Sequence, residues 1–165
     1  VDPFCILAGG APRDWFFGKV ATDLDFFVYL GSNHSKRIVE KQIGALFNVS
    51  EVKSGEKMPL NYRLNPHLMH VFQIDGFDIP VQIMVMKEPT FYSVVDYFPL
   101  SICKAWWKHG VLRTHWDFLD GVRANCIFKT SVEYGKDNQY IAKVLAKFPE
   151  MSYYESELLM QEGVK

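Results

Sequence analysis

The spacing of apolar residues divides the chain into short elements. Phe4–Leu7 is an unbroken apolar run and reads as a strand, ended by Gly9-Gly10. Ala11–Phe17 reads as a short helix, with Pro12 in its first turn and Gly18 just past its end. Leu24–Leu30 reads as a second strand. Strand side chains alternate, so Asp23 and Asp25 share one face while Leu24, Phe26 and Val28 share the other. Ser35 caps a helix running to about Asn48, with Ile38, Val39, Ile43, Leu46 and Phe47 along one side. Residues from Ser50 to Pro66 read as a polar loop. His67–Ile74 and Phe77–Met86 flank Asp75-Gly76, a two-residue hairpin signal. In the later strand Phe77, Ile79, Val81, Ile83 and Val85 form an apolar face. Asp78, Pro80, Gln82, Met84 and Met86 fall on the other. Beyond Pro89 the pattern is mainly helical: Val94–His109 with a break at Pro99, His115–Ala124, Asp137–Phe148 and Tyr154–Glu162. Cys126–Thr130 reads as a late strand.

This pattern predicts an α+β fold, a small mixed β-sheet with helices packed on it. One domain is expected over residues 1–165, with its core in about 1–90 and a mainly helical part in about 91–165. Composition narrows the function. Hydrophobic residues make up 48% and aromatics 15%, which excludes a disordered chain. A net charge of -1 supplies no global positive field for nucleic acid. No apolar run approaches the ~20 residues that span a bilayer, so no membrane role is expected. Cys5, Cys103 and Cys126 are odd in number and lack Cys-x-x-Cys spacing. With no signal-peptide pattern, they read as thiols of a cytoplasmic protein. His67 and His70 lie three apart without an evident third ligand.

The chemistry concentrates near the start. Two carboxylates on one strand face repel unless a cation lies between them, and hard divalent ions prefer such oxygens. Gly9 and Gly10 permit a sharp turn and a close backbone approach. N–H groups at the following helix start favour phosphate, and Arg13 can add bidentate charge. Asp14 either orients Arg13 or a ribose, or simply favours the helix start.

The string Gly9-Gly10, two residues, Arg13-Asp14, three residues, Gly18, four residues, Asp23-Leu24-Asp25 resembles the signature of the polymerase-beta-like nucleotidyltransferases. Within them it looks like the head domain of CCA-adding enzymes and bacterial poly(A) polymerases. Seven fixed letters at about 7% each match by chance on the order of once in 10^8 start points. The resemblance implies a nucleotidyltransferase core followed by C-terminal helices. It also implies transfer of a nucleoside monophosphate from an NTP to a hydroxyl of RNA, protein or a small molecule. Asp23 and Asp25 would bridge two Mg²⁺ (or Mn²⁺) ions as catalytic metal ligands. Gly9, Gly10, Arg13 and Asp14 would hold the nucleotide. Phe98-Pro99-Leu100-Ser101 is loosely similar to the end of a later nucleotide-holding element, with Tyr97 in place of its Asp; sliding the alignment by one residue puts Asp96 on that Asp. The CCA-adding family also has neck, body and tail domains, for which this chain has too few residues.

The chain departs from the family at the third acid. Ile79-Pro80-Val81-Gln82-Ile83-Met84 carries Gln82 where Asp or Glu is expected. Gln is neutral, a weaker ligand, and no general base. Asp78, on the same predicted face, is a surrogate, but it is four residues back, roughly 13 Å at ~3.3 Å per residue. The alternative is therefore a degenerate domain that binds nucleotide or a partner protein without transfer. A dinucleotide-binding module is disfavoured, because Gly-x-Gly-x-x-Gly spacing is absent.

Overall fold

A computed structural model describes residues 5–29, 36–54, 67–87, 91–130 and 138–155. Phe4, Leu30, the Ser35 cap, residues 55–66, Asp137 and residues 156–162 lie outside them.

The glycine-ended apolar run forms β1 (Cys5–Ala8), and α1 (Gly10–Phe16) follows at once. The strand that opens at the paired acids is β2 (Leu24–Tyr29), and α2 is Lys36–Leu46. Then come β3 (Val49–Ser54), β4 (Leu68–Ile74) and β5 (Val81–Met86). The later part holds α3 (Phe91–Asp96), a 3-10 turn (Ser101–Cys103), β6 (Ala105–Lys108) and β7 (Val111–Thr114). It ends with α4 (Trp116–Ala124), β8 (Cys126–Phe128), α5 (Asn138–Lys147) and β9 (Ser152–Tyr154).

Among the described residues, seven strands form one sheet in the order β3-β4-β5-β2-β1-β6-β7, and β8 pairs with β9. Of the described pairings in the large sheet, only that of β2 with β5 is parallel. The fold is α+β with a mixed sheet, as the pattern predicts. Both faces of the sheet are covered. Val28, Phe72, Ile74, Val81, Ile83 and Val85 pack with Ile43 of α2 on one face. Ile6, Ala8, Phe27, Val71, Met84, Met86 and Trp106 pack with Val94 and Val95 of α3 on the other. A separate cluster under α4 and α5 joins Leu100, Ile102, Phe118, Ile127, Val144 and Phe148.

Several expected boundaries shift. The stretch after residue 91, expected to be mainly helical, also contributes two strands, β6 and β7, to the main sheet. Trp106 and Trp107 sit in β6, beside β1, where a continuing helix was expected. Val49–Ser54 is an edge strand rather than loop. Ser152–Tyr154 is a strand where a helix was expected to begin. On α2, Ile43 is buried but Leu46 and Phe47 are exposed, so the apolar stripe covers the sheet only in part. The β4–β5 connection spans Asp75–Pro80 instead of two residues. The ladder starts at Val81, after the Pro80 carbonyl accepts the Leu24 N–H (2.9 Å). Phe77, expected inside, is exposed.

Gly121 of α4 is fixed by space. A Cβ there would lie 2.9 Å from the Cys126 carbonyl oxygen and 2.9 Å from Ser101 Oγ. Ser101 Oγ is also committed, accepting the Phe128 N–H (3.0 Å). Gly121→Ala is expected to destabilise the fold by about 1–3 kcal/mol, the usual overpacking cost. A urea titration that finds no loss would contradict this packing.

Candidate active site

The site grows from the C-terminal end of β1 and the start of β2. Gly9 has φ 84°, a conformation that favours glycine, and its N–H donates to the Ala105 carbonyl (3.0 Å). This ties the turn to β6. The Phe98 ring lies 3.6 Å from where a Gly9 Cβ would be, so the turn has an aromatic neighbour on its open side. Gly10 starts α1 next to Asp23: a Cβ there would come 3.5 Å from Asp23 Oδ1.

One cavity is lined by Gly9, Gly10, Arg13, Asp23, Asp25, Phe98, Tyr140, Lys143 and Lys147, among others. The expected residues Gly9, Gly10, Arg13, Asp23 and Asp25 thus come together. Asp14 stands just behind Arg13. Its buried carboxylate accepts Arg13 Nε (2.8 Å) and pairs with Arg13 Nη2 (2.8 Å) and with Lys147. Of the two readings of Asp14, the geometry matches orientation of Arg13, since no acid occupies the first turn of α1. Arg13 Nη1 donates to Cys103 Sγ (3.3 Å), which is 3.1 Å from the Tyr140 hydroxyl. The Arg13 guanidinium also lies over the Phe148 ring, 5.3 Å from its centroid. Its fork is therefore held rigidly at the cavity wall.

Asp78 and Asp96 lie elsewhere. Asp78 is exposed in the β4–β5 turn, outside the strand, because pairing with β2 begins only at Val81. This corrects its expected place on the Gln82 face. Asp96 ends α3 on the surface, 3.4 Å from His115 Nε2, and does not line the cavity. His115 in turn caps α4, its Nδ1 accepting the Asp117 N–H (3.2 Å).

Gln82 is the direct neighbour of Asp25 in the parallel β2–β5 register. The row continues through Gln73 of β4 to Glu51 of β3. Gln82 Nε2 donates to Gln73 Oε1 (3.1 Å), and Gln73 Nε2 donates to the Val81 carbonyl (3.2 Å). A neutral amide thus stands where a third carboxylate was expected.

Lys143 and Lys147 were missed from sequence. Tyr140, Lys143, Val144 and Lys147 have helical spacing, and all four line the cavity. That spacing was visible, but the face it presents to β2 depends on where α5 docks.

Electrostatics follow from burial. Burial, then the like charge of Asp23, push the Asp25 carboxyl up to about 7, against the opposing pull of Lys143. Tyr140 is also raised, by burial and then by Cys103. For Asp25 the sign is definite. The folded state holds this proton more tightly than the unfolded state. Stability therefore falls as pH rises from about 4 to about 7, and the penalty is complete above that range. Asp25→Asn removes the penalty. Its melting temperature should match wild type near pH 4 and exceed it by a few degrees at pH 8, with chelator present, since each kcal/mol is worth roughly 2–4 °C at this size. Scanning calorimetry that finds no pH-dependent gain would contradict the burial of this carboxylate.

No family model matches the sequence, and no curated protein does. Solved structures do. The Thermotoga maritima CCA-adding enzyme complexed with tRNA superposes on 97% of this chain with TM-score 0.63 and 15% identity. A tRNA nucleotidyltransferase complexed with a primer tRNA and an incoming ATP analogue gives TM-score 0.61 at 15% identity and the same coverage. A CCA-adding enzyme complexed with ATP gives TM-score 0.62 at 14% identity. The chain spans 37%, 46% and 38% of those chains, less than half of each. At this identity the likeness is one of fold: the chain has the fold of the part of these CCA-adding enzymes on which it superposes.

Proposed function

We propose that this cavity binds an NTP with a divalent cation and transfers a nucleoside monophosphate to a hydroxyl acceptor. The carrying observation is the convergence of Asp23 and Asp25 with the Gly9-Gly10 turn and three cationic side chains around one cavity. Two carboxylates facing one space suit a hard cation such as Mg²⁺ or Mn²⁺. When bound, that ion would polarise the phosphate oxygens and offset charge on the leaving pyrophosphate.

The chain's own residues do the rest. The Gly9 N–H is committed to the Ala105 carbonyl, so the Gly10 N–H at the start of α1 is the backbone donor of this turn that suits a phosphate oxygen. Lys143 and Lys147 add positive charge from α5, and Arg13 adds a fixed charge at the wall. Phe27 and Phe98 give the same cavity an apolar lining. Arg13→Ala should weaken NTP binding by about 1.5–3 kcal/mol. Lys147 is already paired with Asp14, so Lys143 is the cation more available to a nucleotide. An RNA acceptor is suggested by the tRNA-bound neighbours, although the chain itself has a net charge of -1.

Gln82 favours a second reading, a domain that binds Mg²⁺–NTP or a partner with little or no transfer. The two readings separate in one experiment. Each labelled NTP is incubated with Mg²⁺ or Mn²⁺ and total RNA or protein, using wild type and Gln82→Asp. Label transfer by wild type supports the first reading. Binding without transfer, with turnover gained in Gln82→Asp, supports the second. Absence of both binding and transfer would overturn both.

A further inference from the structure

We propose that the cavity takes one divalent cation per bound nucleotide rather than two, with the Lys143 ammonium as the second positive charge beside Asp25. The inference rests on the nucleotide reading above and specifies its metal content. An ion that arrives with the triphosphate brings phosphate oxygens as ligands. A second ion has to find more of its oxygens on the protein. Those oxygens are few here. Among the described residues that line the cavity, Asp23 and Asp25 are the only carboxylates. Among the described residues no three His, Cys, Asp or Glu side chains form a group that could hold an ion.

The strand neighbour that could complete a second site is Gln82, opposite Asp25. Its amide nitrogen donates to Gln73 Oε1, and the Gln73 amide is fixed in turn by the Val81 carbonyl. Gln82 is thereby tied to β4, and it is not among the described residues that line the cavity. A neutral amide also leaves a second ion's charge unmet. Lys143 acts in the same direction. It lines the same cavity as Asp25 and forms no hydrogen bond or ion pair with a described residue. An ammonium there repels a further divalent cation and attracts phosphate.

Bound Mn²⁺ is counted by electron paramagnetic resonance on the full chain with a saturating, non-hydrolysable α,β-methylene NTP. Calorimetry first establishes that the analogue binds. One Mn²⁺ per chain is expected in wild type. Gln82→Asp and Gln82→Glu are each expected to hold two at the same free Mn²⁺. Lys143→Gln should keep one ion and lose analogue affinity by roughly tenfold or more, the loss of one charge-assisted contact. Two ions on wild type would overturn the proposal while leaving the nucleotide reading intact. One ion on whichever Gln82 variant folds would overturn the part given to Gln82, and unchanged affinity in Lys143→Gln the part given to Lys143. No analogue binding by wild type would overturn the nucleotide reading and this proposal together.

Discussion

Asp23→Asn is expected to abolish nucleotidyl transfer while the protein stays folded. The amide keeps the size of the side chain beside Gly10 but removes its charge. A cation shared with Asp25 would then lose half of its protein ligands. Metal stabilisation of the transferring phosphoryl group is worth several kcal/mol, so the rate should drop on the order of 10^3-fold or more. Asp25→Asn should do the same to the rate yet raise the stability of the metal-free protein at pH 8. That combination, lost turnover with gained stability, is the signature of a buried acid kept for its ligand chemistry. A near-normal rate in either variant would remove these acids from the proposed chemistry.

Asp14→Ala is expected to carry the largest cost in stability. The Asp14 carboxylate is almost fully buried and meets both the Arg13 fork and Lys147. Removing it leaves the Arg13 guanidinium, itself 6% exposed, without its counter-charge. Breaking a buried pair from one side typically costs about 3–5 kcal/mol, a large part of the ~5–15 kcal/mol that holds a domain together. The loss should show as a lower urea midpoint with an unchanged slope. Arg13 and Lys147 belong to different helices, so α5 should also lose its anchor at the cavity. A loss below about 1 kcal/mol would mean that Arg13 finds another partner.

How much of this was legible follows from which interactions are local. The Gly9-Gly10 turn, the short α1 and the Asp23–Asp25 alternation are set by nearby residues, and they fall where the pattern puts them. The β6–β7 hairpin was hidden because Ile102, Ala105 and Trp106 also fit a helix; pairing with β1 decides for strand. The long β4–β5 turn was hidden for a related reason. Asp75-Gly76 is a strong hairpin signal, but β5 must also pair with β2, and its ladder begins only after Pro80. That tertiary demand takes Asp78 out of the strand. It also makes Gln82, not Asp78, the neighbour of Asp25. The cationic side of the cavity was legible only as helical spacing in α5, since nothing local says which face docks over β2.

A cation-dependent nucleotide cavity at Asp23 and Asp25 is tested by calorimetric titration of wild type and of the Asp23→Asn/Asp25→Asn double variant with each of the four α,β-methylene NTPs. Titrations are run with Mg²⁺ and again with chelator. Wild type is expected to bind at least one nucleotide with Mg²⁺, and this binding is expected to be lost with chelator or in the double variant. Binding that is equally strong in the double variant, or no binding of any of the four by wild type, would contradict it.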